Sequence, residues 1–401
     1  MDENSREKIC KMSADLVADT VLDFKRYLYS KIDWDSRLVC IKGARGVGKT
    51  TMALQHIAEM PDPGKALYVS LDNIWLDAKD VYSLAEYHLG HGGTHFCIDE
   101  VHKLENWQDL IKSLNDNLKR LKVVYSGSLM LKLEKRGGDL SRRQTPYILD
   151  GLSFREYLKF ERVADFPPVS LPDILSNHVE IARRISREFA VLKYFDSYLA
   201  SGYYPFYKDE PQHYLERIVA APNQVIEVDY PEIEDIEIST VRKARRMLNV
   251  LASSAPLTPN MDKLYRELGT DRKQGLKIVY ALERAGLLSL LTSSRKETLK
   301  NLPTPDKIYC GNPNLMKALV AQPNVGTARE TFFLCQLRHA HHVTYPPQGD
   351  FLVDGKYLFE VGGAGKGFDQ IKNLPDSFVA NDDVEVGFGN KIPLWLFGFL
   401  Y

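Results

Sequence analysis

The sequence predicts an α/β fold with a mostly parallel sheet at its N-terminal end and smaller helical and α+β parts behind it. Three observations carry this reading. Apolar strands alternate with helical stretches over residues 38–125, a glycine-rich loop sits where the first strand meets its helix, and the alternation stops after Pro146, where longer helical patterns begin. At 401 residues the chain exceeds one ordinary core, so several domains are expected.

Taken in order, Leu16, Val17, Val21, Leu22, Phe24 and Leu28 recur near helical spacing and predict an amphipathic entry helix. Strands follow at 38–41, 66–71, 95–98 and 122–125, with helices at 50–60, near 81–88 and at 107–118. The helical pattern at 179–199, closed by Gly202-Tyr203-Tyr204-Pro205, reads as a lid. Residues 226–238 hold six acidic residues and no basic one, and read as a linker. From 241 to 300 the sign reverses, with thirteen Lys or Arg against five Asp or Glu. The expected domains are 1–150, a helical lid and linker at 151–240, a third at 241–300 and a fourth at 301–401.

The global charge, 52 basic against 53 acidic residues, gives no general reason to expect nucleic acid or membrane, so any such signal is local. Five cysteines without a C-x-x-C pair argue against a disulfide framework or zinc knuckle and fit a reducing cytosol. Residues 1–11 are polar and do not resemble a signal peptide, so a cytoplasmic location is expected. The longest apolar run, 392–401, is well short of the ~20 residues of a membrane helix and reads as a buried final strand.

The loop Gly43-Ala44-Arg45-Gly46-Val47-Gly48-Lys49-Thr50 fits G-x-x-x-x-G-K-[ST] in its required setting, after a strand and before a helix. Glycines let successive backbone N–H groups and the helix N-terminus face a phosphate. ATP with Mg²⁺ is the implied ligand pair, held by Gly43 to Thr50 and Thr51, with Lys49 on the β- and γ-phosphates and Thr50 on the metal. A second apolar strand ends in Asp99 and Glu100. Asp99 suits hydrated Mg²⁺, and Glu100 suits polarising the water that attacks the γ-phosphate. Ser126, at the end of a further strand in Ser126-Gly127-Ser128, offers a hydroxyl to sense that phosphate.

This order of strand, phosphate loop, intervening strand, Asp-Glu strand and Ser-Gly-Ser strand resembles the AAA+ ATPases. Leu152-Ser153-Phe154-Arg155-Glu156-Tyr157-Leu158, the Gly202-Tyr203-Tyr204-Pro205 turn and Phe359-Glu360-Val361-Gly362-Gly363 narrow the likeness. Over nearly its whole length the chain looks like a large bacterial group of uncharacterised AAA+ proteins similar to the archaeal-type ATPases. The resemblance implies ATP hydrolysis, and it implies an arginine finger just before the Leu-Ser-Phe-Arg-Glu stretch, where Arg142 and Arg143 stand, acting on its own or a neighbouring subunit's nucleotide. Arg143 is taken as the catalytic candidate; a solvated basic pair is the bland alternative.

Helices at 241–253, 262–269 and 271–286 followed by a strand at 287–291 suggest a winged helix, whose third helix carries Arg272, Lys273, Lys277 and Arg284 on polar positions. In a DNA groove these would meet phosphates; alternatively the domain packs on the ATPase or a protein partner. Further on, Asp350 to Glu360 reads as a hairpin around Asp354-Gly355, after a helix at 327–337 that contains Glu330. Glu330, Asp350 and Glu360 resemble the metal acids of the restriction-endonuclease-like (PD-(D/E)xK-like) fold, a candidate second metal site. That fold's Glu-x-Lys would put lysine at Gly362, so nuclease activity is expected to be weak or absent, with Lys366 the nearest substitute. Register decides the rest. A two-residue turn puts Asp350 and Glu360 on opposite faces, a three-residue bulged turn on the same face. The run Arg338-His339-Ala340-His341-His342 has no carboxylate or cysteine at ligand spacing and reads as solvated. Two functional readings follow: an ATPase coupled to a DNA-binding, nuclease-like module, or a nucleotide-dependent switch for a protein partner with a non-catalytic C-terminal domain. No membrane partner is expected, and oligomeric state is open.

Overall fold

The computed structural model describes residues 1–72, 76–128, 140, 143–144, 146–229, 238–254, 261–297 and 303–401. The chain divides into two compact units, Met1–Asp150 with Asp229–Asp235, and Gly151–Val228 with Ile236–Tyr401.

The first unit begins with helix α1 (Glu3–Ala18), started by the Asp2 carboxylate on the Ser5 N–H. The expected entry helix at 16–28 therefore lies too far along the chain. Val21 and Leu22 are 63% and 42% exposed, so their spacing reflects surface side chains rather than a buried helix face. Strands β1 (Leu38–Gly43), β2 (Ala66–Ser70), β3 (His95–Asp99), β4 (Lys122–Gly127) and β5 (Pro146–Leu149) alternate with α2 (Lys49–Ala58), α3 (Ala78–Gly90) and α4 (Trp107–Asn117). They form one parallel sheet in the order β2-β3-β4-β1-β5. Leu67, Val69, Phe96, Ile98, Val123 and Tyr125 are buried in its core with Leu110, Ile111 and Leu114 of α4. Because every strand runs the same way, their carboxyl ends share one edge, where open parallel sheets bind ligands. β5 has no counterpart among the expected strands, being short and half-exposed, with no alternation to betray it.

The second unit contains a large aromatic core. Helices α5 (Phe154–Phe160), α6 (Leu171–Ser186) and α7 (Val191–Ser201), expected as a lid, bury Phe154, Tyr157, Phe195 and Tyr198 with Phe332, Phe359, Phe397 and Phe399 from the C-terminal part. Aromatic side chains of this size are the reason: packing them together removes far more apolar surface than an independent lid would. Ser153 and Glu156 make a capping box at the start of α5, and Ser153 Oγ and Arg155 Nε both donate to the Tyr401 carbonyl at 2.8 Å. After α8 (Tyr214–Gln224) come α9 (Ile238–Ser254), α10 (Met261–Glu267) and α11 (Arg272–Arg284), then an antiparallel pair, β6 (Leu288–Leu291) with β7 (Lys307–Cys310). Most of the acidic segment, 230–237, lies outside the described residues.

Helices α12 (Pro313–Leu319) and α13 (Val325–Leu337) precede a five-stranded mixed sheet of order β12-β11-β10-β9-β8. Its strands are β8 (Val343–Thr344), β9 (Phe351–Val353), β10 (Tyr357–Gly362), β11 (Ser377–Asn381) and β12 (Lys391–Pro393). The final apolar run is strand only to Pro393, which lacks an N–H to extend the ladder; a buried 3-10 turn, Leu394–Phe399, follows. Among the described residues no helix is long and apolar enough to cross a membrane, and Cys10, Cys40, Cys97, Cys310 and Cys335 are all free thiols.

Candidate functional site

The phosphate loop joins β1 to α2. Gly46 and Gly48 have φ of +80° and +98°, left-handed values that would strain any side chain, and they turn the backbone into the first turn of α2. A Cβ on Gly43 would lie 2.7 Å from the Leu149 carbonyl oxygen, so glycine there lets β1 and β5 close up. Lys49 is buried, and its ammonium donates to the Gly43 and Ala44 carbonyls, each at 3.1 Å. Arg45 reaches Asp72 at 3.7 Å, while Thr50 and Thr51 stand exposed in the first turn of α2.

The carboxylates face this loop because of strand register. β4 lies between β3 and β1, and Ile98 pairs with Tyr125 while Ile41 pairs with Ser126, so Asp99, Ser126 and the loop entrance stand level. Thr50 Oγ1 donates to Asp99 Oδ2 at 2.5 Å, and Ser126 Oγ donates to Asp99 Oδ1. Glu100 has φ of +56°, a strained value for a non-glycine residue. Its Oε1 lies 3.5 Å from Lys49 Nζ and its N–H points at Ser126 Oγ at 3.4 Å. Lys49, Thr50, Asp99, Glu100 and Ser126 are thus brought together. The oxygens of Thr50 and Asp99 are hard donors at the place where Mg²⁺ would be held, so the residues fit that ion.

Three further residues belong to the site and are invisible in the motif. Tyr68 of β2 donates its hydroxyl to Asp99 Oδ2 at 2.8 Å; burial, then the Asp99 charge, push its pKa up, so it stays a donor. His102, on the turn after β3, puts Nδ1 3.2 Å from Glu100 Oε2. Arg26, only 5% exposed, donates to the Val47 carbonyl and, at 2.7 Å, to the Asp150 carbonyl, tying the phosphate loop to the end of β5. Alternation along β2 could have pointed to Tyr68 and the spacing Asp99-Glu100-x-His102 to the histidine; no local signal marks Arg26. A cavity of about 290 Å³ opens beside Thr50, Tyr68, Asp99 and Glu100, walled by Ile9, Met12 and Leu16 of α1.

Residues 35–158 match the family profile described as "AAA domain". That stretch is similar to AAA domains. Over 385 residues the chain is 25% identical to an uncharacterized protein of Methanocaldococcus jannaschii, covering 87% of this chain and 80% of that protein. Among solved structures it is similar to the ORC1 protein of Aeropyrum pernix in complex with DNA, 14% identical with a TM-score of 0.32, covering 78% of this chain and 91% of that one. A RuvB variant of Thermotoga maritima is 14% identical with a TM-score of 0.30, covering 72% and 90%.

Arg143 does not join the residues around the phosphate loop. It pairs with Asp116 at 3.1 Å and lines a recess with Ser36, Arg37 and Leu38, at the entry end of β1 and so at the opposite edge of the sheet from the loop. Arg142 lies outside the described residues. In the second unit, Arg272, Lys273, Lys277 and Arg284 are all exposed on α11, with Leu276, Ile278, Val279 and Leu282 buried beneath them. Arg272 also donates to Thr304 Oγ1 at 2.9 Å.

The C-terminal hairpin has the three-residue register. Val353 pairs with Tyr357, and Asp354 and Gly355 both take left-handed φ, of +53° and +66°. Asp350 therefore falls opposite Glu360, yet the two do not converge on a metal. Asp350 lies just outside β9, its Oδ2 accepts the Val361 N–H at 3.0 Å, and its Oδ1 takes Lys307 at 3.1 Å. Glu360, 0% exposed, pairs instead with Lys366 at 3.0 Å. Among the described residues no group of three or more His, Cys, Asp or Glu could hold a metal, so the candidate second metal site at Glu330, Asp350 and Glu360 is corrected. The histidines are accounted for locally: His341 meets Asp354 at 2.8 Å and His339 packs on Tyr401.

Proposed function

We propose that this chain hydrolyses ATP with Mg²⁺ at the phosphate loop and couples the cycle to a nucleic acid held by the exposed cations of α11. The observation that supports hydrolysis, beyond binding, is Glu100, a buried carboxylate one residue beyond the metal acid Asp99 and within 3.5 Å of Lys49. Thr50 and Asp99 would hold Mg²⁺, which supplies charge neutralisation at the phosphate oxygens. Lys49 exchanges the Gly43 and Ala44 carbonyls for phosphate oxygens. Glu100 orients the attacking water and accepts its proton, and Ser126 links the Asp99 carboxylate to the Glu100 backbone.

The sequence of three helices and an antiparallel pair, α9 to β7, supports a winged-helix reading, and four exposed cations on its third helix suit a phosphate backbone. The mixed sheet is read as a degenerate restriction-endonuclease-like domain without nuclease activity. Steady-state phosphate release with and without duplex DNA is the direct test. DNA should stimulate turnover, and Lys49→Ala and Glu100→Gln should abolish it, Glu100→Gln with ATP still bound. Turnover that ignores DNA, with no DNA binding at low salt, would sink the nucleic-acid half and leave a nucleotide-dependent protein switch.

A further inference from the structure

The carboxylates of the second unit are served by a cation from another sheet. Lys307, on β7, sends its ammonium to within 3.1 Å of Asp350 Oδ1 and 3.4 Å of Glu330 Oε2, and all three side chains are less than one-fifth exposed. The remaining partners are fixed as well: Tyr309 donates to Glu330 Oε2 at 2.6 Å, and the Val361 N–H occupies Asp350 Oδ2. The third acid, Glu360, has its own lysine, Lys366.

A divalent ion would need these same oxygens at roughly 2.0–2.6 Å, which would bring it against a buried ammonium of like charge. Burial and the Asp350 charge raise the pKa of Glu330. For Lys307, burial favours the neutral form, but Glu330 and Asp350 outweigh it and raise its pKa, so the ammonium stays charged.

We propose that Lys307 stands in the place of the metal: a tethered ammonium that neutralises Glu330 and Asp350, so that the acids of a nuclease-like sheet take no divalent ion and β7 is pinned to α13 and the β9–β10 hairpin instead. The inference does not depend on the ATP reading.

Mn²⁺ binding to the full, nucleotide-free chain, followed by electron paramagnetic resonance, tests it. Wild type and Glu330→Gln should bind the same number of Mn²⁺ ions. Lys307→Met should gain one, lost again when Asp350→Asn is added. The same Lys307→Met change should lower the melting temperature by about 10 °C, as breaking a buried pair does, and Mn²⁺ should restore most of that where equal ionic strength of NaCl does not. One Mn²⁺ more in wild type than in Glu330→Gln overturns the proposal, as does a folded Lys307→Met that gains none. If Lys307→Met fails to fold, the wild type against Glu330→Gln comparison still decides.

Discussion

Arg26→Met is the sharpest probe of how the phosphate loop is held. The guanidinium donates to two backbone carbonyls, Val47 inside the loop and Asp150 past β5, from a position 5% exposed. Methionine fills much the same space but leaves both oxygens without that donor. Charge-assisted bonds of this kind are worth about 1.5–3 kcal/mol each, so the pair contributes about 3 kcal/mol at the low end. Spread over a unit of this size, that corresponds to a fall of about 10 °C in its melting temperature. Part of the loss should appear in binding, because a loop no longer fixed at Val47 must be ordered by the nucleotide; about 1.4 kcal/mol of that cost is a tenfold weaker Kd for ATP. Arg26→Lys, a single point donor, should reach one carbonyl and recover about half of each effect. Calorimetry and fluorescent-nucleotide titration read the two quantities separately. A melting temperature within about 2 °C of wild type, with unchanged Kd, would refute the idea that Arg26 organises the loop.

Three further outcomes are expected. His102→Ala should lower kcat at least tenfold with KM for ATP changed less than about twofold, and His102→Asn, which can place a donor near Nδ1, should restore part of it; equal losses in kcat/KM and ATP affinity would mean a merely structural role. His56 stacks on Trp34 at 4.0 Å, and burial, with the nearby His95 and Lys122 charges, lowers its pKa from 6.5 to about 4. Its folded form resists protonation, so the stability it contributes is complete above pH 6.5 and drains away as pH falls toward 4; His56→Phe should remove about 1 kcal/mol of the drop in urea-unfolding free energy between pH 7 and 5, after allowance for partial exposure. Finally, neutralising Lys273, Lys277 and Arg284 together should reduce the log–log salt slope of DNA binding by about 2.7, and an unchanged slope would move the DNA contact off α11.

What was legible in the sequence was what is contiguous or what parallel strands align. The phosphate loop is one unbroken segment, and Asp99 and Ser126 end strands whose carboxyl ends must share an edge. The exposed face of α11 was legible for a similar reason, since helical periodicity alone separates Lys273 and Lys277 from Leu276 and Val279. Contacts between distant segments were not. Arg26 reaches Asp150 across 124 positions, Tyr68 meets Asp99 across a strand pair, and Lys307 finds Asp350 from a different sheet. The hairpin shows the limit of a correct rule: the bulged register does set Asp350 opposite Glu360, but Asp350 stands just before the first residue of β9, where alternation no longer dictates direction.

Under the proposed hydrolysis, the contacts of Lys49 link the phosphate loop to Glu100. Its ammonium is shared between two loop carbonyls and Glu100, so the group proposed to grip phosphate also touches the group proposed to activate water. An arriving phosphate offers Lys49 a fuller negative charge than either carbonyl, and drawing it toward the loop removes the cation from beside Glu100. The carboxylate is then left beside His102, its backbone still in a strained left-handed turn at the end of β3. Under the proposed cycle, phosphate binding at the loop is thereby felt at Glu100 through a single side chain. The proposed coupling needs no movement of the sheet, because Ser126 and Tyr68 hold the Asp99 carboxylate while Lys49 changes partners.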